Sequence, residues 1–501
     1  MLGLRRKSPM KDLKEKTIRG GMARLCAQGA NFFLRLISLM ILARLLGPKD
    51  FGLVGMVTAF TDVLTLFRDF GLSSAAIQRP TVTNEQISTL FWINLSVGIL
   101  LGLLAVAGAP VIAAFYHEPR LSGIAAVVAL GFLFNGAGIQ HSVLLQRQMR
   151  FTALAIINTV GLIAGSALAI AGAKAGFGYW SIVAMTVTVP LVSTVGFWLA
   201  TAWVPGLPRR RVGIRSMMRF GGTITLTGLI VYVASNLEKV LLGRFWGVDA
   251  VGLYGRAYQL INIPTSNLNS AAGEVAFSAL SRLQDDPARR RNYFLKGFSL
   301  VLGLTLPITI ACAFFANDVV LVLLGAKWKD AAPIFRWLAP TILVFAIANP
   351  LSWLLIASGR IGRLMRMSLV IAPIMILGYI IGLPYGPRGV ACAYSVVMTL
   401  WLIPLITWAV HGTEISFLDV VRTASSPLVS SVVAGGVALG VGLALCQSLS
   451  PLVRLVIEST ILLTTFLGAL MSVATQRSLY LGLFRELIGS LSTKEKAPAS
   501  A

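Results

Sequence analysis

The chain has 501 residues, of which 56% are hydrophobic and only 12% charged, with a mean hydropathy of +0.80. A soluble chain carries about twice that charged fraction, so composition excludes a soluble protein and points to a bilayer, where each span is a helix of roughly 20 apolar residues. The net charge of +24 does not indicate a nucleic-acid partner, because the basic residues sit in short gaps between apolar runs, where they report topology.

Seven lysines and arginines lie between Arg5 and Arg19, with no short apolar core and cleavage site directly after them. Residues 1–20 therefore read as a basic cytoplasmic lead-in and not as a signal peptide. Apolar runs then predict about fourteen spans, at 22–45, 51–72, 87–114, 121–144, 152–172, 177–203, 218–243, 251–279, 294–316, 331–356, 365–383, 388–409, 424–446 and 452–474. With the N-terminus inside, the even gaps hold Arg147, Arg150, Arg209, Arg210, Arg211, Arg215, Arg282, Arg289, Arg290, Arg291, Lys296, Arg360, Arg363 and Arg366. The odd gaps hold Lys49, Arg120, Lys174, Lys327, Lys329, Arg388 and Arg454. Tails included, about 27 basic residues fall inside and about 7 outside, which puts both termini in the cytoplasm.

A repeat gives this series its plan. Leu42, Arg44, Gly47, Gly52, Leu53 and Gly55 recur 200 positions later as Leu242, Arg244, Gly247, Gly252, Leu253 and Gly255. Each copy lies between two apolar runs and reads as a tight turn, with glycine supplying positive φ and close backbone approach. An offset of six spans keeps orientation, so the repeat predicts two parallel six-helix lobes. The divisions are 21–205 for the N-lobe, 206–411 for the C-lobe, 412–476 for two accessory helices and 477–501 for a cytoplasmic tail. The expected fold is an all-α polytopic membrane protein.

Polar residues inside spans mark candidate sites. Asp62 and Asp69 lie two helical turns apart on one face, and their repeat mates are Asn262 and Asn269. Tyr258 and Thr265 extend the second face, so the two helices are expected to wall a central cleft, with interhelical hydrogen bonding as the alternative. Arg35, Arg68, Glu238, Lys239 and Glu274 are further intramembrane charges. Arg35 and Lys239 are candidates to hold an anion. Asp62, Glu238 and Glu274 are candidate coupling carboxylates, with structural ion pairing an equal alternative for each, and Arg68 a candidate partner for Asp69 or Asp62.

Other chemistries lack their signatures. The sequence contains no Walker A pattern and no His/Cys/carboxylate cluster with metal spacing, and its four cysteines read as small buried hydrophobes. No gap is long enough for a catalytic domain. Membrane transport without a cofactor remains.

Three stretches resemble one family. They are Ile41-Leu-Ala-Arg-Leu-Leu-Gly-Pro-Lys-Asp-Phe-Gly, Asn236-Leu-Glu-Lys-Val-Leu-Leu-Gly-Arg-Phe-Trp-Gly-Val and Leu323-Leu-Gly-Ala-Lys-Trp-Lys-Asp-Ala-Ala-Pro-Ile-Phe-Arg. Together they are similar to the polysaccharide-exporter, or Wzx-like oligosaccharide flippase, branch of the MOP superfamily. The resemblance implies alternating access between two six-helix lobes. It also implies movement of undecaprenyl-diphosphate-linked oligosaccharide across the inner membrane, for exopolysaccharide or lipopolysaccharide assembly, driven by a proton or sodium gradient. An anionic diphosphate head group, the bilayer and the polysaccharide polymerase or export machinery are the implied partners. Arg35, Lys239 and the Asn262/Asn269 face would supply a cationic or polar cavity. A multidrug or cation antiporter, a peptidoglycan-precursor flippase of the same superfamily, and a non-transporting scaffold for synthases are the competing readings.

Overall fold

The computed structural model describes residues 29–68, 83–208, 215–283, 286–446, 448–472 and 477, and among them every regular element is helical. In chain order the long helices are α1 (29–45), α2 (Pro48–Thr65), α3 (Asn84–Tyr116), α4 (Arg120–Arg147), α5 (Phe151–Lys174), α6 (Tyr179–Thr201) and α7 (215–246). They continue with α8 (248–282), α9 (Pro287–Phe314), α10 (Ala331–Ala357), α11 (Ile361–Gly382), α12 (386–410), α13 (Phe417–Leu445) and α14 (Pro451–Ser472). Nine segments among the described residues are long and apolar enough to cross a membrane. The chain is thus an all-α polytopic membrane protein. Spanning by helix follows from the bilayer itself, which offers the backbone no hydrogen-bond partner.

Local sequence accounts for the ends. Thr83 and Gln86 form a reciprocal capping box at the start of α3, with bonds of 3.1 and 3.3 Å. Gly47, Pro48 and Asp50 start α2. Proline sits at the first helical position and the Asp50 carboxylate accepts from the Gly47 amide at 3.0 Å. The second copy of the turn uses another device. Gly247 has φ 81°, ψ −171°, left-handed geometry that glycine alone adopts freely, and there the 215–282 helical stretch breaks into α7 and α8. At Gly47 φ is −105°, so in the first copy glycine is not needed for a positive φ.

The chain divides into two compact units. The first comprises Met1–Gln259, Leu323–Ala331 and Ser368–Ala393. In it the connections that share parity meet. Trp246 Nε1 donates to Leu383 O at 2.7 Å, Arg244 contacts His117 at 3.1 Å, and Arg388 lies 3.8 Å from Asp330. At even connections, Trp92 Nε1 donates to Gly206 O at 2.8 Å and Trp203 Nε1 to Asn84 Oδ1 at 2.9 Å. This is the alternation that successive crossings require.

The second unit comprises Leu260–Val322, Ala332–Met367 and Tyr394–Ala501. Its core includes Phe315, Ala434, Ala438, Leu462, Phe466 and Leu470, so α13 and α14 pack on the end of α9 and do not stand apart. Glu458 of α14 is 4% exposed and occupies the notch left at Gly442 of α13, where any Cβ would overlap its carboxylate.

Candidate functional site

The two copies of the repeated turn come together within the first unit. A Cβ on Gly52 would overlap the Val248 carbonyl, and a Cβ on Gly252 would overlap the Pro48 carbonyl. Pro48 and Val248 are themselves repeat mates, so the crossing is reciprocal: the glycine of each copy admits the backbone that opens the other. Two helix starts can touch at this distance only where both side chains are absent.

Below this crossing, α7 carries a polar cluster. Asn236 Nδ2 donates to Tyr232 O at 3.1 Å, and Lys239 Nζ donates to Asn236 Oδ1 at 2.7 Å, steps of four and three residues that keep the three on one face. Lys239 is also the cation whose field acts on the carboxylates of Asp62 in α2 and Glu238, and the Tyr232 ring belongs to the same group. Glu238 lies on a different stripe, between Ala234 and Leu242, which are 3% and 0% exposed. It is 1% exposed itself, and neither of its carboxylate oxygens has a hydrogen-bond partner among the described residues. No salt bridge joins Asp62, Glu238 or Lys239 to a counter-charge there either. Charged groups buried without fixed partners are costly, and such groups inside a membrane mark functional positions more often than structural ones.

The other predicted residues are dispersed. Arg35 is exposed on α1 and makes no hydrogen bond or ion pair among the described residues. Tyr258 stacks on Tyr254 with ring centroids 6.4 Å apart. Asn262 is exposed and half-buried Thr265 donates its hydroxyl to Ile261 O at 2.9 Å, a bond to its own helix; both fall in the second unit. Arg68 is half-buried beyond the end of α2. Asp69 and the side chains of Asn269 and Glu274 lie outside the described residues.

Sequence reasoning missed a stack beside the crossing. The Arg256 guanidinium sits 4.0 Å from the centroid of the Phe51 ring, and Phe51 meets Trp328 edge-to-face at 5.4 Å and 63°. Among the described residues no carboxylate pairs with Arg256. The signal for Arg256 was an arginine just past the second copy of the turn; its repeat mate is the apolar Met56, so comparing the copies drew no attention to it.

Fold and site together define a polytopic α-helical membrane protein with a buried carboxylate, Glu238, that has no hydrogen-bond partner among the described residues. Residues 41–333, more than half of the chain, match the polysaccharide biosynthesis protein family, and the chain belongs to that family. It is 26% identical over 398 residues to the lipopolysaccharide biosynthesis protein WzxC of Escherichia coli (strain K12), covering 77% of this chain and 80% of that one. It is 25% identical over 333 residues to the succinoglycan biosynthesis transport protein ExoT of Rhizobium meliloti (strain 1021), covering 66% and 67%. In fold it is similar to the lipid II flippase MurJ in an inward closed conformation, with a TM-score of 0.72 at 14% identity over 94% of this chain and 100% of that one. An inward-facing MATE transporter of the MOP superfamily follows at 0.60 and 15%, covering 81% and 99%.

Proposed function

We propose that this chain is a flippase that carries undecaprenyl-diphosphate-linked oligosaccharide across the inner membrane for polysaccharide assembly, and that it is not an enzyme. The observation that carries the reading is the interior cluster of Asp62, Glu238 and Lys239 in a chain of this family, in which neither Glu238 oxygen has a hydrogen-bond partner among the described residues and Lys239 bonds to the Asn236 amide. A scaffold for synthases has no use for such groups, whereas a carrier of an anionic head group across hydrocarbon does. Lys239, Arg35 and Arg256 hold the diphosphate, for which guanidinium offers paired donors. Tyr258, Asn262, Thr265 and Asn269 line the path of the sugar. Asp62 and Glu238, with Glu274, Asp69 and Arg68 as further charges, link transport to a proton or sodium gradient. The lobes 21–205 and 206–411 alternate in access, with both termini cytoplasmic, and the polymerase or export machinery takes the product. Family likeness and the reciprocal crossing of the two turns, at Gly47–Gly52 and Gly247–Gly252, support that arrangement.

The test is an extract of lipid-linked oligosaccharides from a deletion strain, with the leaflet of each species assigned. Accumulation on the cytoplasmic side with loss of surface polysaccharide is the expected result. Normal pools with new drug sensitivity would instead identify an antiporter, and loss of viability a peptidoglycan-precursor flippase.

A further inference from the structure

The segment between α9 and α10 reaches back to the first helix. After the short helix Ala316–Leu323, Gly325 takes φ 95° and the chain closes into a single 3-10 turn, Ala326–Trp328. This turn drives Trp328 fully into the first unit, where it is 0% exposed. A buried indole needs an acceptor for its N–H, and Trp328 Nε1 donates to Ala43 O at 2.8 Å. Lys327 Nζ reaches Leu45 O at 3.3 Å. Ala43 and Leu45 lie in the last turn of α1, whose final carbonyls have no acceptor role within the helix. The segment therefore caps α1 with two side chains from about 285 positions downstream.

Capping is not all that Trp328 does. The edge-to-face contact with Phe51 fixes the plane of that ring, and the opposite demand on the ring comes from Arg256, whose guanidinium lies 4.0 Å from its centroid. An aromatic face attracts a guanidinium without neutralising its charge or consuming its N–H donors. A carboxylate partner would have occupied those donors. We propose that Trp328 is a positioning residue: through Phe51 it holds Arg256 in the orientation that receives the diphosphate of the lipid-linked substrate. This rests on the flippase reading above, and it assigns to residues 323–331, remote in sequence from the anion site, control over affinity for the head group.

The test uses the purified full chain in lipid nanodiscs, titrated with undecaprenyl diphosphate and, separately, with the uncharged alcohol undecaprenol. Arg256→Gln weakens diphosphate binding more than roughly tenfold and so lowers the preference over undecaprenol, with Lys239 and Arg35 supplying what remains. Trp328→Ala and Phe51→Leu weaken diphosphate binding roughly three- to tenfold, the scale of one cation–π contact, and leave undecaprenol binding unchanged. Trp328→Phe, which keeps a ring against Phe51, recovers most of the affinity. At saturating substrate the flipping rate of Trp328→Ala stays within about twofold of the parent, so the defect lies in apparent KM and not in turnover. If Arg256→Gln lowers the preference while both ring variants keep that of the parent, the positioning role is wrong and the flippase reading stands. If Arg256→Gln keeps the parent's diphosphate affinity and preference undiminished, Arg256 does not hold the anion and the inference has failed. Should Trp328→Ala not fold, Phe51→Leu and Trp328→Phe decide the matter alone.

Discussion

The charged clusters of the two units differ in how they are partnered. In the second, several charges are matched in pairs, although buried Glu458 keeps one carboxylate oxygen without a hydrogen-bond partner among the described residues. Asp318, 6% exposed, receives both arms of the Arg454 guanidinium, one of them at 2.6 Å. Arg290 grips Glu414 at 2.5 and 2.9 Å, and Arg291 grips Asp419 at 2.6 and 3.1 Å. Arg360 and Arg363 donate to the carbonyls of Gly412 and His411 at 2.6 Å each, closing the end of α12. In the first unit, Glu238 has no partner among the described residues and Lys239 bonds only to a neutral amide. Matched charge is architecture, because both arms of each ion are already used. Unmatched charge, on the reading proposed above, is held for a ligand that arrives later.

That contrast can be broken by substitution. Removing Asp318 strands a guanidinium in a partly buried site, and Asp318→Ala is expected to destabilise the protein by about 3 kcal/mol or more. Thermal unfolding in mild detergent reads the loss, while flipping per folded molecule stays unchanged. Replacing both partners, Asp318→Leu with Arg454→Leu, restores most of that stability, since an apolar pair of similar volume is often neutral.

A smaller effect sharpens the same point through pH. Burial works to raise the pKa of Glu414, but the two Arg290 bonds, its backbone bond and the Arg290 and Arg360 charges outweigh it and hold it below the usual value. A carboxylate with a lowered folded pKa contributes stability above its unfolded pKa and loses it as pH falls through the folded one. The parent should therefore lose about 1 kcal/mol on acidification through that window, and Glu414→Gln should lose less. An equal slope in both would remove Glu414 from the set of matched charges.

The smallest stability effect is expected where the functional effect is largest. Glu238→Gln keeps the shape and removes a charge that no hydrogen bond or salt bridge among the described residues holds, so unfolding shifts by less than about 1 kcal/mol or turns slightly favourable. Flipping falls by at least roughly tenfold. A large loss of stability in Glu238→Gln would instead make this carboxylate structural.

Much of this was legible from sequence where it depended on period, length or identity. Apolar runs gave the helices because a bilayer allows little else, and the repeat singled out Gly52 and Gly252 as places of close backbone approach, though not that the two copies meet each other. The span expected at 51–72 begins at Pro48, since proline and the Asp50 cap fix the helix start ahead of the apolar run. Tertiary partners were not legible. Nothing local to Trp328 announces that it will cap a helix about 285 positions upstream, and nothing local to Asp318 announces Arg454. Whether a charge is matched depends on packing between distant segments, and sequence spacing carries no information about that.

The most direct measurement reconstitutes the purified protein in proteoliposomes and follows transfer of undecaprenyl-diphosphate-linked oligosaccharide between leaflets under an imposed proton or sodium gradient. Transfer by the parent that rises with one gradient, and that Glu238→Gln loses while Asp318→Leu with Arg454→Leu keeps, is the predicted result. Equal transfer by the parent and Glu238→Gln, under either gradient, would contradict the division of this molecule into matched charges that build it and unmatched charges that work.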